Sequence, residues 1–229
     1  QMQSEGKTGK YLTYAIGEIL LVVVGILLAL QINNWNEARK DAILERDLLQ
    51  NLQQDINYNA SRIQAVRFLD STIMIKNRIL LDVLTDPGST YHDSLQTHFG
   101  NISRYDVFAP RKMAYEALKS KGLEIIKNDS LRSEIIKLYD ESYGLNAVMI
   151  DLKRDIHMNS SSIHNKRLFT LQQVDYKIPV DFGALKSDTE FINDLSYVTA
   201  ESLNFLWHYQ NMYNKSRAVE QLITNELKR

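Results

Sequence analysis

An uninterrupted apolar run near the start of the chain limits what the rest of it can fold into. The run extends from Tyr11 to Ile32 and reads YLTYAIGEILLVVVGILLALQI. About 22 residues in a helix, at roughly 1.5 Å each, cover about 33 Å, which is enough to cross a hydrocarbon core of about 30 Å. Tyr11, Tyr14 and Trp35 lie at its ends, where amphipathic rings settle at membrane interfaces. We therefore predict a transmembrane helix over residues 11–35, with these three aromatic side chains as interface anchors.

One face of this helix combines a carboxylate with small residues. Steps of three and four residues place on that face Ala15, Glu18, Val22, Gly25 and Ala29. Glu18 is costly inside a bilayer unless it is protonated or paired, and Gly25 with Ala29 permits the close approach of another helix. We predict that this face packs against protein. The alternative is that Glu18 is protonated or reaches the headgroups, and that Gly25 is incidental.

Composition and charge limit the classes of partner. The 229 residues include 27 Lys and Arg against 28 Asp and Glu, a net charge of −1, so we expect no attraction to nucleic acid. The absence of cysteine removes disulfides and thiolate chemistry. Because Gly and Pro punctuate structure, 9 Gly and 3 Pro favour long helices.

The polar remainder predicts a helical domain outside the cytoplasm. We expect residues 1–10 to form a short cytoplasmic tail and residues 36–229 to form a periplasmic helical domain, since a large polar segment after one apolar run suits a signal anchor. Long helices are predicted at about 36–86, 129–169 and 188–228, with short helices between 89 and 128. The predicted fold class is all-α: one N-terminal transmembrane helix that continues into an elongated extracytoplasmic helical bundle.

The sequence predicts an apolar face for two of the long helices. In the first, steps of three and four connect Leu49, Leu52, Ile56, Ile63, Val66, Ile73, Leu80 and Leu84. Asn59, Asp70 and Asn77 interrupt this seam, which favours a bundle helix over a long coiled coil. In the last helix, much of the apolar surface is assigned to Leu195, Val198, Leu203, Leu206, Tyr213, Leu222 and Leu227. Ser187-Asp188-Thr189-Glu190 is a capping-box pattern that opens that helix.

No catalytic or cofactor signature is present in the sequence. It contains no P-loop, GxGxxG, GxSxG, HExxH or EF-hand pattern. His157 and His164 are two helical turns apart, so one ion cannot bind both from a straight helix. We predict no catalytic residue, no cofactor and no metal. Six aromatic residues could line a ligand pocket between helices, although aromatic residues at helical spacing more often form core. They are Tyr115, Tyr139, Tyr143, Trp207, Tyr209 and Tyr213.

Two stretches resemble a known family. Lys10 to Lys40 reads KYLTYAIGEILLVVVGILLALQINNWNEARK, and it resembles the opening of an uncharacterised single-pass inner-membrane protein family of Bacteroidota. Members of that family carry YAIGE and then VVxGILxALQINNWNE. Residues 114–128, AYEALKSKGLEIIKN, followed by Leu131 and Arg132, are similar to the same family. The resemblance implies an inner-membrane protein with a helical periplasmic domain, and it implies no activity.

These observations predict a non-enzymatic protein embedded in the lipid bilayer. We expect it to self-associate as a homo-oligomer or to serve as an accessory subunit of a larger inner-membrane or envelope complex. One alternative is a proton- or ion-coupled membrane component that uses Glu18. A second alternative is a periplasmic ligand-sensing helical bundle.

Overall fold

The computed structural model describes residues 5–102, 104–173 and 175–228, with the side chains of residues 5–14 outside that description. Contacts divide the chain into two units, Gln1–Leu48 and Leu49–Arg229. The described residues are mostly helical, with two short strands, which confirms the predicted all-α class.

Seven α-helices and one hairpin make up the described chain. The helices are α1 (Glu5–Thr85), α2 (Gln96–Asn101), α3 (Met113–Lys121), α4 (Asp129–Ile136), α5 (Tyr143–His164), α6 (Phe182–Leu185) and α7 (Thr189–Glu226). Single 3-10 turns lie at Asp93–Leu95 and Leu123–Ile125, and a π-helical turn, Lys137–Ser142, joins α4 to α5. Strands β1 (Leu168–Thr170) and β2 (Lys177–Pro179) pair antiparallel, with Leu168 opposite Pro179.

In the first unit, α1 exposes the apolar run. The side chains from Ala15 to Ile43 are exposed, and an 18-residue window of α1 has a mean hydropathy of 2.5 with 0% of it buried. A helix exposes such a surface stably only in an apolar medium. This part of α1 is therefore long and apolar enough to span a membrane.

In the second unit, the seam of α1 forms the centre of the core. All the apolar seam positions predicted between Leu49 and Leu84 are buried, and so are the three polar interruptions. Buried polar groups need partners. Asn59 has them in the segment before α3: its Nδ2 donates to the carbonyl of Arg111 at 2.9 Å, and its Oδ1 accepts from the Arg111 backbone N–H at 2.8 Å. Asn59 thus holds the segment before α3 against α1.

The region predicted as one helix at about 129–169 is built differently. Asn128 opens α4, since its side chain accepts a hydrogen bond from the backbone N–H of Leu131 at 3.1 Å. The helical path then passes through the π-helical turn and ends at His164. Residues 168–170 form β1 instead of continuing the helix, because pairing with β2 satisfies their backbone groups.

The N-terminus of α7 also differs from the capping-box prediction, which places Ser187 at the cap. Asp188 is the capping residue, and its carboxylate accepts from the backbone N–H of Phe191 at 3.0 Å. Arg167, which follows α5, forms an ion pair with the same carboxylate. An anion at a helix N-terminus that also binds an arginine is better stabilised there than a serine hydroxyl.

Candidate functional site

The predicted packing residues of the membrane helix lie on α1. All are exposed in the single chain: Ala15, Glu18, Val22, Gly25 and Ala29. A methyl group added at Gly25 would meet no atom within 4 Å. Trp35 is 65% exposed, whereas the side chains of Tyr11 and Tyr14 lie outside the described residues. The face is open to a partner, and its packing role stays a prediction.

The aromatic residues that could line a ligand pocket are mostly core. Tyr115, Tyr139, Tyr143 and Tyr209 are fully buried. The rings of Tyr115 and Tyr139 stack with centroids 4.4 Å apart, and Tyr143 meets Tyr139 edge-on at 5.2 Å. Burial raises the pKa of Tyr143 to about 12, so this phenol stays neutral. Trp207, in contrast, is 71% exposed. The four buried tyrosines form core packing contacts, and the exposed Trp207 does not join them.

A buried ion pair joins α1 to α5. The ammonium of Lys153 donates to the two carboxylate oxygens of Asp70 at 2.8 and 2.7 Å and to the carbonyl of Asp106 at 2.8 Å. Only 8% of the Lys153 side chain and 5% of the Asp70 side chain are exposed. Burial raises the pKa of Asp70 and lowers the pKa of Lys153, while the attraction between the two charges opposes both shifts. All three N–H groups of the ammonium are engaged.

A cavity of about 60 Å³ lies beside this pair. Each of three helices contributes residues at steps of three, four and seven, so one face of each helix lines the cavity. The lining comprises Asp70, Ile73 and Asn77 of α1, Lys153, Ile156, His157 and Ser160 of α5, Val198, Glu201, Ser202 and Phe205 of α7, and Ile102, Arg104 and Tyr105 after α2. The spacing places the residues of each helix on one face, and the packing of the three helices brings these faces together.

Two of the polar side chains that line this cavity are incompletely paired. Asn77 is 2% exposed, and its Oδ1 has no hydrogen-bond partner among the described residues. Glu201 accepts a hydrogen bond from Asn204 at 3.1 Å but forms no ion pair within the described part of the chain. The ring of His157 packs on Tyr105 with centroids 4.1 Å apart, and burial lowers the pKa of His157, so this ring is neutral at pH 7. The cavity thus offers acceptors and aromatic surface.

A nearby cluster of Ser160, Asp194 and His164 does not have the geometry of a nucleophile. Ser160 Oγ donates to Asp194 Oδ1 at 3.1 Å, and His164 Nε2 lies 2.8 Å from Asp194 Oδ2. In a catalytic triad the histidine lies between the serine and the carboxylate, so that it can take the hydroxyl proton. Here the carboxylate lies between them. His164 is 1% exposed, and the cluster connects α5 to α7.

Comparison with known families adds one match. The model of a family of unknown function, DUF6090, matches residues 18–202. Neither a curated protein nor a solved structure matches the chain. The matched range includes the membrane-helix face from Glu18 onward and the lining of the cavity as far as Ser202. The chain belongs to the family of unknown function DUF6090.

Proposed function

We propose that this chain is a single-pass protein of the bacterial inner membrane that acts as a non-enzymatic, self-associating subunit of an envelope complex. Residues 1–10 are cytoplasmic and residues 36–229 periplasmic in this proposal, and the YAIGE and ALQINNWNE stretches are the anchor signature of a Bacteroidota family. The exposed apolar part of α1 supports the membrane anchor. Self-association is supported by a second exposed apolar surface, in the second unit, which a membrane anchor does not account for.

This second surface, the α5–α7 patch, consists of Leu145, Val148 and Leu152 of α5 with Leu203 and Trp207 of α7. Trp207 is 71% exposed, Val148 63% and Leu145 56%. The steps from 145 to 148 and 152 and from 203 to 207 keep each set on one face of its helix. The two helices pack together, and Leu145 and Trp207 line the same surface hollow. An exposed tryptophan within an apolar patch is typical of a protein interface.

The charges at the edge of the patch suit a second copy of the same chain. Glu141 and Lys215 line the same hollow as Trp207, on the α5 side and the α7 side respectively. Neither forms an ion pair with another described residue. In a pair of copies related by a two-fold axis along these helices, α5 of one copy lies beside α7 of the other. Glu141 then meets Lys215 twice, so the patch is complementary to itself.

Charge reversal tests this arrangement. We expect Glu141→Lys to weaken self-association of the full-length protein in mild detergent, because it places two cations together at each edge of the interface. The combination of Glu141→Lys with Lys215→Glu should restore it. Trp207→Glu should weaken association by roughly 30-fold or more, since hot-spot tryptophans contribute about 2 kcal/mol or more. The measurement is the mass of the detergent-solubilised particle over a range of protein concentrations.

The control is Val180→Glu, because Val180 is 72% exposed and lies outside the patch. Equal association of Trp207→Glu and Val180→Glu would exclude the patch as the interface. Loss of association in Glu141→Lys without recovery in the combined variant would contradict self-association through this surface.

The proton-coupled alternative depends on Glu18 and has its own test. If Glu18 only makes an interhelical hydrogen bond, Glu18→Gln should assemble and complement a deletion strain, while Glu18→Ala leaves the polar partner unpaired and does worse. If Glu18 carries protons, Glu18→Gln should assemble normally yet fail to complement. We expect the first result, because Glu18 is the one Asp, Glu, His, Lys or Arg residue between Tyr11 and Ile32. A Gln variant that assembles but is as inactive as the deletion would replace our proposal by its alternative.

A further inference from the structure

The cavity between α1, α5 and α7 contains a hydrogen-bond acceptor that the chain does not use. Asn77 lines the cavity at 2% exposure, and its Oδ1 has no partner among the described residues. An unpaired buried acceptor destabilises the folded protein, because it loses its hydrogen bonds to water and gains none in return. A donor that enters the cavity would recover this free energy.

The same cavity contains a carboxylate without a counter-ion. Glu201 lies one helical turn from Phe205 on the face of α7 that lines the cavity. Its only described hydrogen bond comes from the neutral amide of Asn204. An entering cation would neutralise this charge.

The cations around the cavity are already engaged by the protein. Lys153 donates all its N–H groups to Asp70 and Asp106. Arg104, at the rim, pairs with Asp175 at 3.3 Å. Burial lowers the pKa of His157, which disfavours its charged form. An anion would therefore find no free cation inside and would be repelled by Glu201, so the lining favours a ligand that is positively charged and donates hydrogen bonds.

The size of the cavity limits the part of the ligand that enters. A water molecule needs a cavity volume of about 10 to 15 Å³. The cavity volume of about 60 Å³ therefore accommodates roughly four non-hydrogen atoms of a ligand. We propose that this cavity binds the primary ammonium end of a small amine, whose N–H groups donate to Asn77 Oδ1 and to the carboxylate of Glu201. Ethanolamine has this chemistry, either as the free amine or as the headgroup of phosphatidylethanolamine.

Ethanolamine and choline form a matched pair of probes for the full-length protein in detergent. They differ by three N-methyl groups, which remove every N–H donor and enlarge the cationic end. We expect ethanolamine to bind at least roughly tenfold more tightly than choline, because hydrogen bonds to a charged group are worth about 1.5 to 3 kcal/mol. Ligand-observed NMR titration at constant ionic strength measures both affinities. Equal binding of the two probes, or no binding of ethanolamine, would overturn the proposal, and neither result depends on a variant.

Variants of the lining then identify the groups that bind. Glu201→Gln and Asn77→Leu should each weaken ethanolamine binding by roughly tenfold or more. The control, Asp155→Asn, removes an exposed carboxylate of α5 outside the cavity and should leave binding unchanged. Ethanolamine affinity that is the same in Glu201→Gln as in Asp155→Asn would place the amine elsewhere. Short-chain phosphatidylethanolamine, compared with short-chain phosphatidylcholine, distinguishes the sources: selective binding of the former assigns the lipid headgroup, and binding of ethanolamine alone assigns the free amine.

Discussion

Replacement of Lys153 by methionine is expected to destabilise the second unit by about 3 to 5 kcal/mol, because it leaves the carboxylate of Asp70 buried without a counter-ion. The change preserves side-chain length and apolar packing, so the lost charge is the main difference. The measurement is urea unfolding of the detergent-solubilised protein, followed by far-UV circular dichroism.

Two comparisons make this expectation specific. Lys137 forms an ion pair with Glu134 at the same N–O distance of 2.7 Å, but on an exposed surface. Lys137→Met should therefore lower the free energy of unfolding by no more than about 1 kcal/mol. The double variant Asp70→Leu with Lys153→Met should recover much of the loss, since an apolar pair replaces a buried charge pair at little cost. Recovery should be incomplete because the carbonyl of Asp106 still lacks its donor. If Lys153→Met costs no more than Lys137→Met, the Asp70 carboxylate is accessible to water in solution.

The seam of α1 could be predicted from sequence because its periodicity is strong and local. Every apolar position assigned to it between Leu49 and Leu84 is buried. Its polar interruptions predicted only a bundle helix, whereas the structure shows that Asp70 holds the buried ion pair and that Asn77 lines the cavity. What the seam could not provide was the partner of each polar residue, because that partner belongs to another element.

The face of α7 was assigned with less success. Leu203 and Leu222 were assigned to its apolar surface, yet they are 48% and 41% exposed. The buried positions of α7 in this region include Phe205, Tyr209 and Ser216, and the Ser216 hydroxyl forms a hydrogen bond with Tyr143 Oη at 2.9 Å. Apolar residues occupy two faces of α7, so periodicity alone does not decide which face is buried. The exposed face is the one that belongs to the α5–α7 patch.

The cavity itself had no local signature. A buried lysine is costly unless paired, and the partner of Lys153 lies 83 residues away in sequence. In the sequence, nothing distinguishes Glu201 from a solvent-exposed acidic residue of an amphipathic helix. Only the packing of α1, α5 and α7 brings these side chains to one wall, which explains why motif searches gave no site here.

Close backbone packing between α2 and the hairpin loop predicts a second large effect on stability. A methyl group at Gly100 would lie 1.9 Å from the carbonyl oxygen of Asp175 and 2.2 Å from its carbonyl carbon. Because these are backbone atoms, the loop or the helix must move to admit Gly100→Ala. We expect a loss of about 1 to 3 kcal/mol, the usual cost of overpacking, measured by the same urea unfolding.

Gly144→Ala is the matched control, since Gly144 lies in α5 and a methyl group there meets no atom within 4 Å. This variant should gain about 0.5 to 1 kcal/mol, because alanine loses less backbone freedom than glycine on entering a helix. Gly100→Ala should gain a similar amount of helix stability, and this gain offsets part of the destabilisation that the clash causes. The difference between the two variants therefore measures the clash more fully than either change does alone. A Gly100→Ala protein as stable as the Gly144→Ala protein would show that the loop does not pack on α2 in solution.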